Sequence, residues 1–289
     1  LQTLNDRPDT ATNAQIMFLV LNTAGLTLIP TSVIAIRQTM AVKQGLVGFN
    51  AADIFLPTLI VTACGLLSAL VLVAAVQRIP LWRAGLLLPL AGFGAVVGAL
   101  VWWLSRFPPD QAAQWMGVIG AGFILAVVAA FLVAGALRGV AVYDAFVDGA
   151  KDGFGVAVQI IPYLVAMLVA IAVFRAAGLM DVLMGWIAAA VSALGLPTDF
   201  LPAVPVGLMK ILSGSGGLMV DVMQTHGVDS FPAKLAAIIQ GSTETTFYVL
   251  AVYFGSVGVK HTRHALPCAL FADAVGLVAA VLVAYAFFR

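Results

Sequence analysis

The chain has 289 residues, 62% of them hydrophobic and 9% charged, and its 14 basic and 13 acidic groups leave a net charge of +1. A soluble domain carries about 25% charged and about 45–50% apolar residues, so this few charges cannot coat a soluble globule. A soluble enzyme, a disordered chain and a nucleic-acid binder are excluded, because disorder needs low hydrophobicity and nucleic-acid binding needs a basic face. A polytopic α-helical membrane protein remains. The two cysteines, Cys64 and Cys268, each sit in an apolar run, so no disulfide framework is expected. Residues 1–12 are polar and read as the interior of a longer chain, with an N-terminal portion expected before Leu1.

A spanning helix needs about 20 predominantly apolar residues. Thr10–Ile36 is uncharged but carries Asn13, Gln15, Asn22, Thr23, Thr27, Thr31 and Ser32, and Pro30 interrupts it. Taken as one span, it should face protein or water rather than lipid. Ile54–Gln77, Ala84–Ser105, Gln111–Leu137 and Gly153–Phe174 are uncharged spans bounded by Asp53, Arg78, Arg83, Arg106, Asp110, Arg138, Asp152 and Arg175. Arg138–Asp152 has its apolar residues on one side and its charges on another, which predicts an interfacial helix between two membrane halves. Val182–Leu196 is a shorter candidate that needs a tilt or a thin site.

The last third is different. Phe200–Leu212 and Leu218–Met223 flank Ser213-Gly214-Ser215-Gly216-Gly217, and each piece is too short to span alone. Backbone at membrane depth leaves helix geometry only where protein or a water-filled cavity satisfies it. The pattern predicts a re-entrant hairpin or a discontinuous helix. Phe231–Val259 repeats it, with the polar heptad Gln240–Thr246 inside an apolar stretch. Ala265–Phe288 is the last helix and holds Asp273 near its middle.

The chain also repeats itself. Pro57 and Pro267 each open an apolar helix with Gly-Leu further on, at Gly65 and Gly276, and a Val-Leu-Val ending. Upstream of each lies a polar break, Asn22-Thr23 with Thr27 in one copy and Ser242-Thr243 with Thr245 in the other. Two copies facing each other place these breaks around a common midplane. The Ser/Gly hairpin of the second copy has no counterpart in the first, which again points to sequence before Leu1.

Asp229-Ser230-Phe231, the run from Gln240 to Gly255 and Lys260-His-Thr-Arg-His264 resemble the spore maturation protein B family, and Ser213-Gly-Ser-Gly216 fits its upstream motif. Ala11-Thr12-Asn13, Leu21-Asn22-Thr23, Leu28-Ile29-Pro30-Thr31 and Ile36-Arg37 resemble the end of spore maturation protein A. The resemblance implies a fused A–B membrane protein of the nucleoside-recognition, or Gate, superfamily, and with it a transport-like architecture. It divides the chain into residues 1–76, the C-terminal part of an A-type half; 77–138, linking transmembrane helices; and 139–289, a B-type half.

Glu244 is the sharpest candidate residue. A carboxylate at the centre of a spanning helix costs at least about 2.5–3.5 kcal/mol and marks a functional site by default. With Ser242, Thr243 and Thr245 it could hold a cation, a polar solute or a transferable proton; the plainer reading is a carboxylate paired with Lys or Arg that locks two helices. Asp273 could relay a proton with Glu244 or form a buried pair with Lys210 or Lys234. Ser213 and Ser215 offer hydroxyls at a helix start suited to an anionic solute group, or they merely turn the chain. Asn22 and Thr23 supply the neutral half of a site between the repeats, or bond helix to helix. His261 and His264, with Lys260 and Arg263, read as an interfacial basic cluster touching lipid headgroups rather than, with Cys268, as a zinc site, which needs three or four converging ligands.

The fold expected is all-α and polytopic, with two Gate-like repeats containing broken or re-entrant helices. The function expected is a bacterial inner-membrane permease for a small polar solute, with cation or proton coupling open. The alternative is a scaffold or assembly factor in envelope or spore maturation that transports nothing. No catalytic residue, metal or cofactor is expected. The expected partners are the solute, the lipid bilayer, the missing N-terminal part of the A half and further copies of the chain.

Overall fold

The computed structural model describes residues 1–289 except 28–29, 81–87, 89–90, 93, 97, 100–101, 104–105, 196, 213–214 and 243. The expected span Ala84–Ser105 falls largely outside the described residues. The described residues hold helices and turns with no β-strand; an isolated bridge joins Thr10 to His261.

The first apolar segment is two helices and not one span. Thr12 starts α1 (Asn13–Thr23) through a capping box, its hydroxyl accepting from the Gln15 amide while the Gln15 side chain accepts from the Thr12 amide. Helix α2 (Thr31–Lys43) begins directly after Pro30. A proline inside a continuous helix would lack a donor and clash with the preceding turn, and Gly25 lies in the gap. Helix α3 (Phe55–Val76) is continuous and is long and apolar enough to cross a membrane.

Helix α4 (Pro109–Leu137) starts on a proline, tolerated at the first position. Gly139, at φ 69°, turns the chain into α5 (Val142–Ala176). The expected interfacial helix at Arg138–Asp152 is corrected here, since its charged segment is the first part of a single 35-residue helix, about 52 Å long at 1.5 Å per residue. No proline or cap separates the two parts; Pro162 lies well inside the apolar portion. Gly178, at φ 71°, then leads into α6 (Leu179–Ala193), 15 residues long. Large apolar side chains on these helices, among them Leu125, Phe131, Phe154, Val165 and Trp186, are exposed, as on helices that face lipid.

The last third carries both expected breaks. A short 3₁₀ turn, Leu201–Ala203, runs into α7 (Val204–Leu212), and α8 (Gly216–His226) follows the Ser/Gly segment. Helices α9 (Phe231–Ser242) and α10 (Thr246–Ser256) flank the polar heptad, and α11 (Ala265–Phe288) spans without a break.

The two repeat-like units meet at their continuous helices. Helices α3 and α11 pack along each other. Buried small residues on α11, Ala269, Ala272, Gly276, Ala280 and Ala284, recur about every four positions, and α3 buries Gly65 and Ala69. Such a stripe lets two helix backbones approach closely where lipid supplies no hydrophobic drive. Pro57 and Pro267 both occupy the third position of their helices, where a missing amide costs nothing.

Both ends of this core are pinned by polar contacts. At one, Asp9 O accepts from the amides of Lys260 and His261, and Arg263 Nη1 donates to Ala11 O at 3.0 Å. The Gln77 side-chain amide donates to Asn13 O at 2.9 Å and to His264 Nε2 at 3.2 Å. The basic cluster at 260–264 is thus docked on the N-terminal segment. At the other end, Gln44 donates to Met223 O and accepts from the Val228 amide.

Candidate functional site

The non-helical segments converge. The Glu244 amide donates to Thr23 O at 3.1 Å, so the break between α9 and α10 is bonded to the last carbonyl of α1. One turn earlier, Gly241 lies so close to Pro30 and Thr58 that a Cβ there would stand 3.1 Å from Pro30 Cβ and from Thr58 Cγ2. Only a residue without a side chain fits that approach comfortably. The first and last breaks are therefore interlocked.

A third break is tied to the same place through Gln240, the first residue of the heptad. Ser215 Oγ donates to Gln240 Oε1 at 2.6 Å, and Lys210 Nζ donates to Gln240 O at 2.5 Å. Lys210 and Ser215 are both buried. An ammonium inside a membrane protein needs such a partner, and a helix C-terminal carbonyl carries partial negative charge suited to it. Helix α8 starts at Gly216, and the hydroxyl of its N-cap Ser215 goes to Gln240 rather than capping the helix.

Asp273 is buried on α11 and accepts from Thr246 Oγ1 at 2.7 Å, which fastens the start of α10 to the spanning helix. Neither expected ion pair forms. Lys234 lies instead against Asp229 at 2.8 Å and Asp53 at 3.4 Å, and Lys210 is bound to the Gln240 carbonyl. Arg37, in sequence no more than a basic residue following a break, is fully buried, bonded to Asp53 and, at 2.7 Å, to Ala51 O, with the Phe49 ring 5.0 Å away. Its Nε and Nη2 have no hydrogen-bond partner among the described residues.

Glu244 behaves differently from these charges. Its side chain is exposed, and among the described residues its carboxylate takes no hydrogen bond and no ion pair. It stands at a cleft of about 690 Å³ together with Asn22, Gly25, Leu26, Thr27 and, along one face of α10, Tyr248, Val249, Val252, Tyr253 and Ser256. Lys210 lies within electrostatic reach of Glu244 without a contact ion pair.

The other expected residues divide. Asn22 lines this cleft with Glu244. Thr23 and Ser242 are buried and donate to carbonyls of their own helices, Val20 O and Ile239 O, so their hydroxyls close helix ends. Thr245 is the half-buried N-cap of α10, and its side chain makes no cap bond. Thr243 and Ser213 lie outside the described residues. Gln240 and Gly241 join the site without having been expected there, although the polar heptad contains both. Lys210 was signalled by a charge in an apolar half-helix.

His261 is exposed, His264 half-buried and Cys268 buried. Among the described residues no group of three or more His, Cys, Asp or Glu side chains is placed to hold a metal ion.

Known proteins resemble the part of the chain that carries this geometry. The family described as nucleoside recognition (Gate) matches residues 157–260, which run from within α5 to just past α10 and include Lys210, Ser215, Gln240 and Glu244. Spore maturation protein B of Bacillus subtilis (strain 168) is 42% identical over 175 residues, which is 60% of this chain and 95% of that protein. No solved structure matches the chain. An identity of this size over nearly the whole of the relative settles kinship, and the chain belongs to the spore maturation protein B family of multi-pass, Gate-domain membrane proteins.

Proposed function

We propose that the chain is a permease of the bacterial inner membrane that moves a small polar solute through the region where its broken helices meet, with a cation or proton as coupling partner. The observation that carries this reading is the union of the breaks at Glu244 and Thr23 beside a cleft lined from both sides by Asn22 and Glu244. Transporters of several folds bind solute at broken helices between repeats, because freed backbone groups and helix ends supply polar contacts there.

In this reading residues 1–76 form an A-type half, residues 77–138 link, and residues 139–289 form the B-type half that contains the matched Gate segment. The cleft between the halves then draws on both. Asp273 and Thr246 set the angle of α10, and Lys210, Ser215 and Gln240 hold the third break in register.

A scaffold without transport accounts for the bonded groups, since Lys210, Ser215, Gln240, Thr246 and Asp273 all join helix to helix. It gives no role to Glu244, whose carboxylate joins nothing among the described residues. The test is flux. The purified chain in liposomes should release entrapped radiolabelled solute from a panel of nucleosides and small amines, the nucleosides following the family's description, and the Glu244→Gln variant should not. A wild-type protein that releases none of the panel contradicts the reading.

A further inference from the structure

The cleft beside Glu244 has a chemistry of its own. Among the described lining residues one carries a formal charge, Glu244, whose carboxylate has no contact partner among the described residues, and none is Lys, Arg or His. Lys210 lies within electrostatic reach of Glu244 but is held by the Gln240 carbonyl and makes no contact ion pair with it, so the Glu244 carboxylate is free to take a cationic partner from the cleft. Two helices also end at the cleft. Asn22 and Gly25 bracket the C-terminal end of α1, and Ser256 is the last residue of α10. A helix C-terminus carries roughly half a negative charge, so both ends add to the field of Glu244.

The rest of the wall is apolar and aromatic. Leu26, Val249 and Val252 lie beside Tyr248 and Tyr253. Tyr253 is tilted against Phe18 with ring centroids 6.0 Å apart, which limits its freedom. Tyrosine faces attract ammonium groups, the more so where water is scarce. A volume of about 690 Å³ accommodates an organic molecule rather than a bare ion.

We infer that this cleft binds a cationic organic solute, an amine carried on an aromatic or apolar body, with Glu244 as its counter-ion. The inference rests on the permease reading above for its place in transport, but its own evidence is the charge and lining of the cleft. An anion would meet Glu244 and two helix C-termini; a neutral solute would leave the Glu244 carboxylate unpaired.

Three probes of one shape and different charge test it: tyramine, its alcohol analogue tyrosol, and 4-hydroxyphenylacetate. Binding is measured on the full chain in nanodiscs. Tyramine should bind at least about tenfold more tightly than tyrosol, the size of one well-placed charge contact, and 4-hydroxyphenylacetate weakest of the three. Glu244→Gln should erase the advantage of tyramine over tyrosol, and Glu244→Asp should retain it, which separates loss of charge from loss of fold. Equal binding of tyramine and tyrosol, a preference for the acid, or no binding of any probe overturns the inference. A chain that prefers tyramine but carries nothing across a liposome membrane upholds this inference and sinks the permease reading. A chain that moves tyramine and tyrosol alike does the reverse.

Discussion

The backbone amide of Glu244 donates to the carbonyl of Thr23 across 3.1 Å, so two helix breaks that are 221 positions apart in sequence (244 − 23) share one hydrogen bond. Each break frees backbone groups that lipid cannot satisfy, and each breaks where the other can. The bond also presents the Glu244 side chain to a cleft rather than to a neighbouring helix.

The interlock depends on the absence of a side chain at Gly241. Gly241→Val forces its methyl groups into Pro30 and Thr58. Overpacking of this kind costs about 1–3 kcal/mol, and the variant should melt several degrees below wild type in detergent. Gly217→Ala is the control, since a Cβ there meets nothing within 4 Å. Equal melting of the Gly241→Val and wild-type chains would show that the breaks are not tightly joined.

Arg37 and Asp53 form the most deeply buried ion pair among the described residues. Removing one partner of such a pair costs about 3–5 kcal/mol, because the other charge is left buried and uncompensated. Asp53→Ala should therefore cut the yield of monodisperse protein sharply. Asp148→Ala, which breaks an exposed pair with Lys151, should change little. The comparison is read by size-exclusion chromatography, and similar losses for the two variants would contradict the assignment.

Asp273 has a hydrogen-bonded partner in Thr246. Thr246→Val keeps the shape and removes the donor, leaving a buried acceptor without it at a cost of about 1–3 kcal/mol. Thr246→Ser keeps the donor and should restore most of the stability. The measurement is the melting temperature of the three chains side by side; a serine variant as weak as the valine variant would point to packing instead.

His264 links stability to pH. Burial first, and then the neighbouring Arg263 charge, hold its imidazole below the ordinary histidine range. The Gln77 side-chain nitrogen can only donate, so His264 Nε2 must accept, which the protonated ring cannot do. The folded value lies below the unfolded one, so this contribution is present above the ordinary histidine value and is lost as pH falls through the lowered folded value. His264→Gln should flatten the fall in melting temperature between about pH 7.5 and pH 5, a range that brackets the ordinary value near 6.5. Parallel pH curves for the two chains would remove His264 from the account.

Much of this fold was legible in the sequence because a membrane makes hydropathy nearly a structural statement. Uncharged runs mark α3, α4, α6 and the apolar part of α5, an apolar run holding Asp273 marks α11, and the Ser/Gly and Gln240–Thr246 segments mark the breaks. Two expectations failed for local reasons. A single span over Thr10–Ile36 runs through Pro30, although a proline there ends a helix. The charges of Arg138–Asp152 suggest a separate element, although nothing in it stops a helix from running on into the apolar part of α5. In the site, residue types were readable and partners were not. A lysine in an apolar half-helix announces a need for a partner but does not say that a backbone carbonyl at Gln240 meets it. The hydroxyls of Thr23 and Ser242 looked available, and their own helices use them.

The central claim is that the Glu244 carboxylate serves a moving solute rather than the fold, and the most direct measurement is solute flux through Glu244→Gln protein in liposomes. The account predicts a variant that elutes and melts like wild type while its flux falls to that of protein-free liposomes. Unimpaired flux in a well-folded Glu244→Gln chain would contradict it.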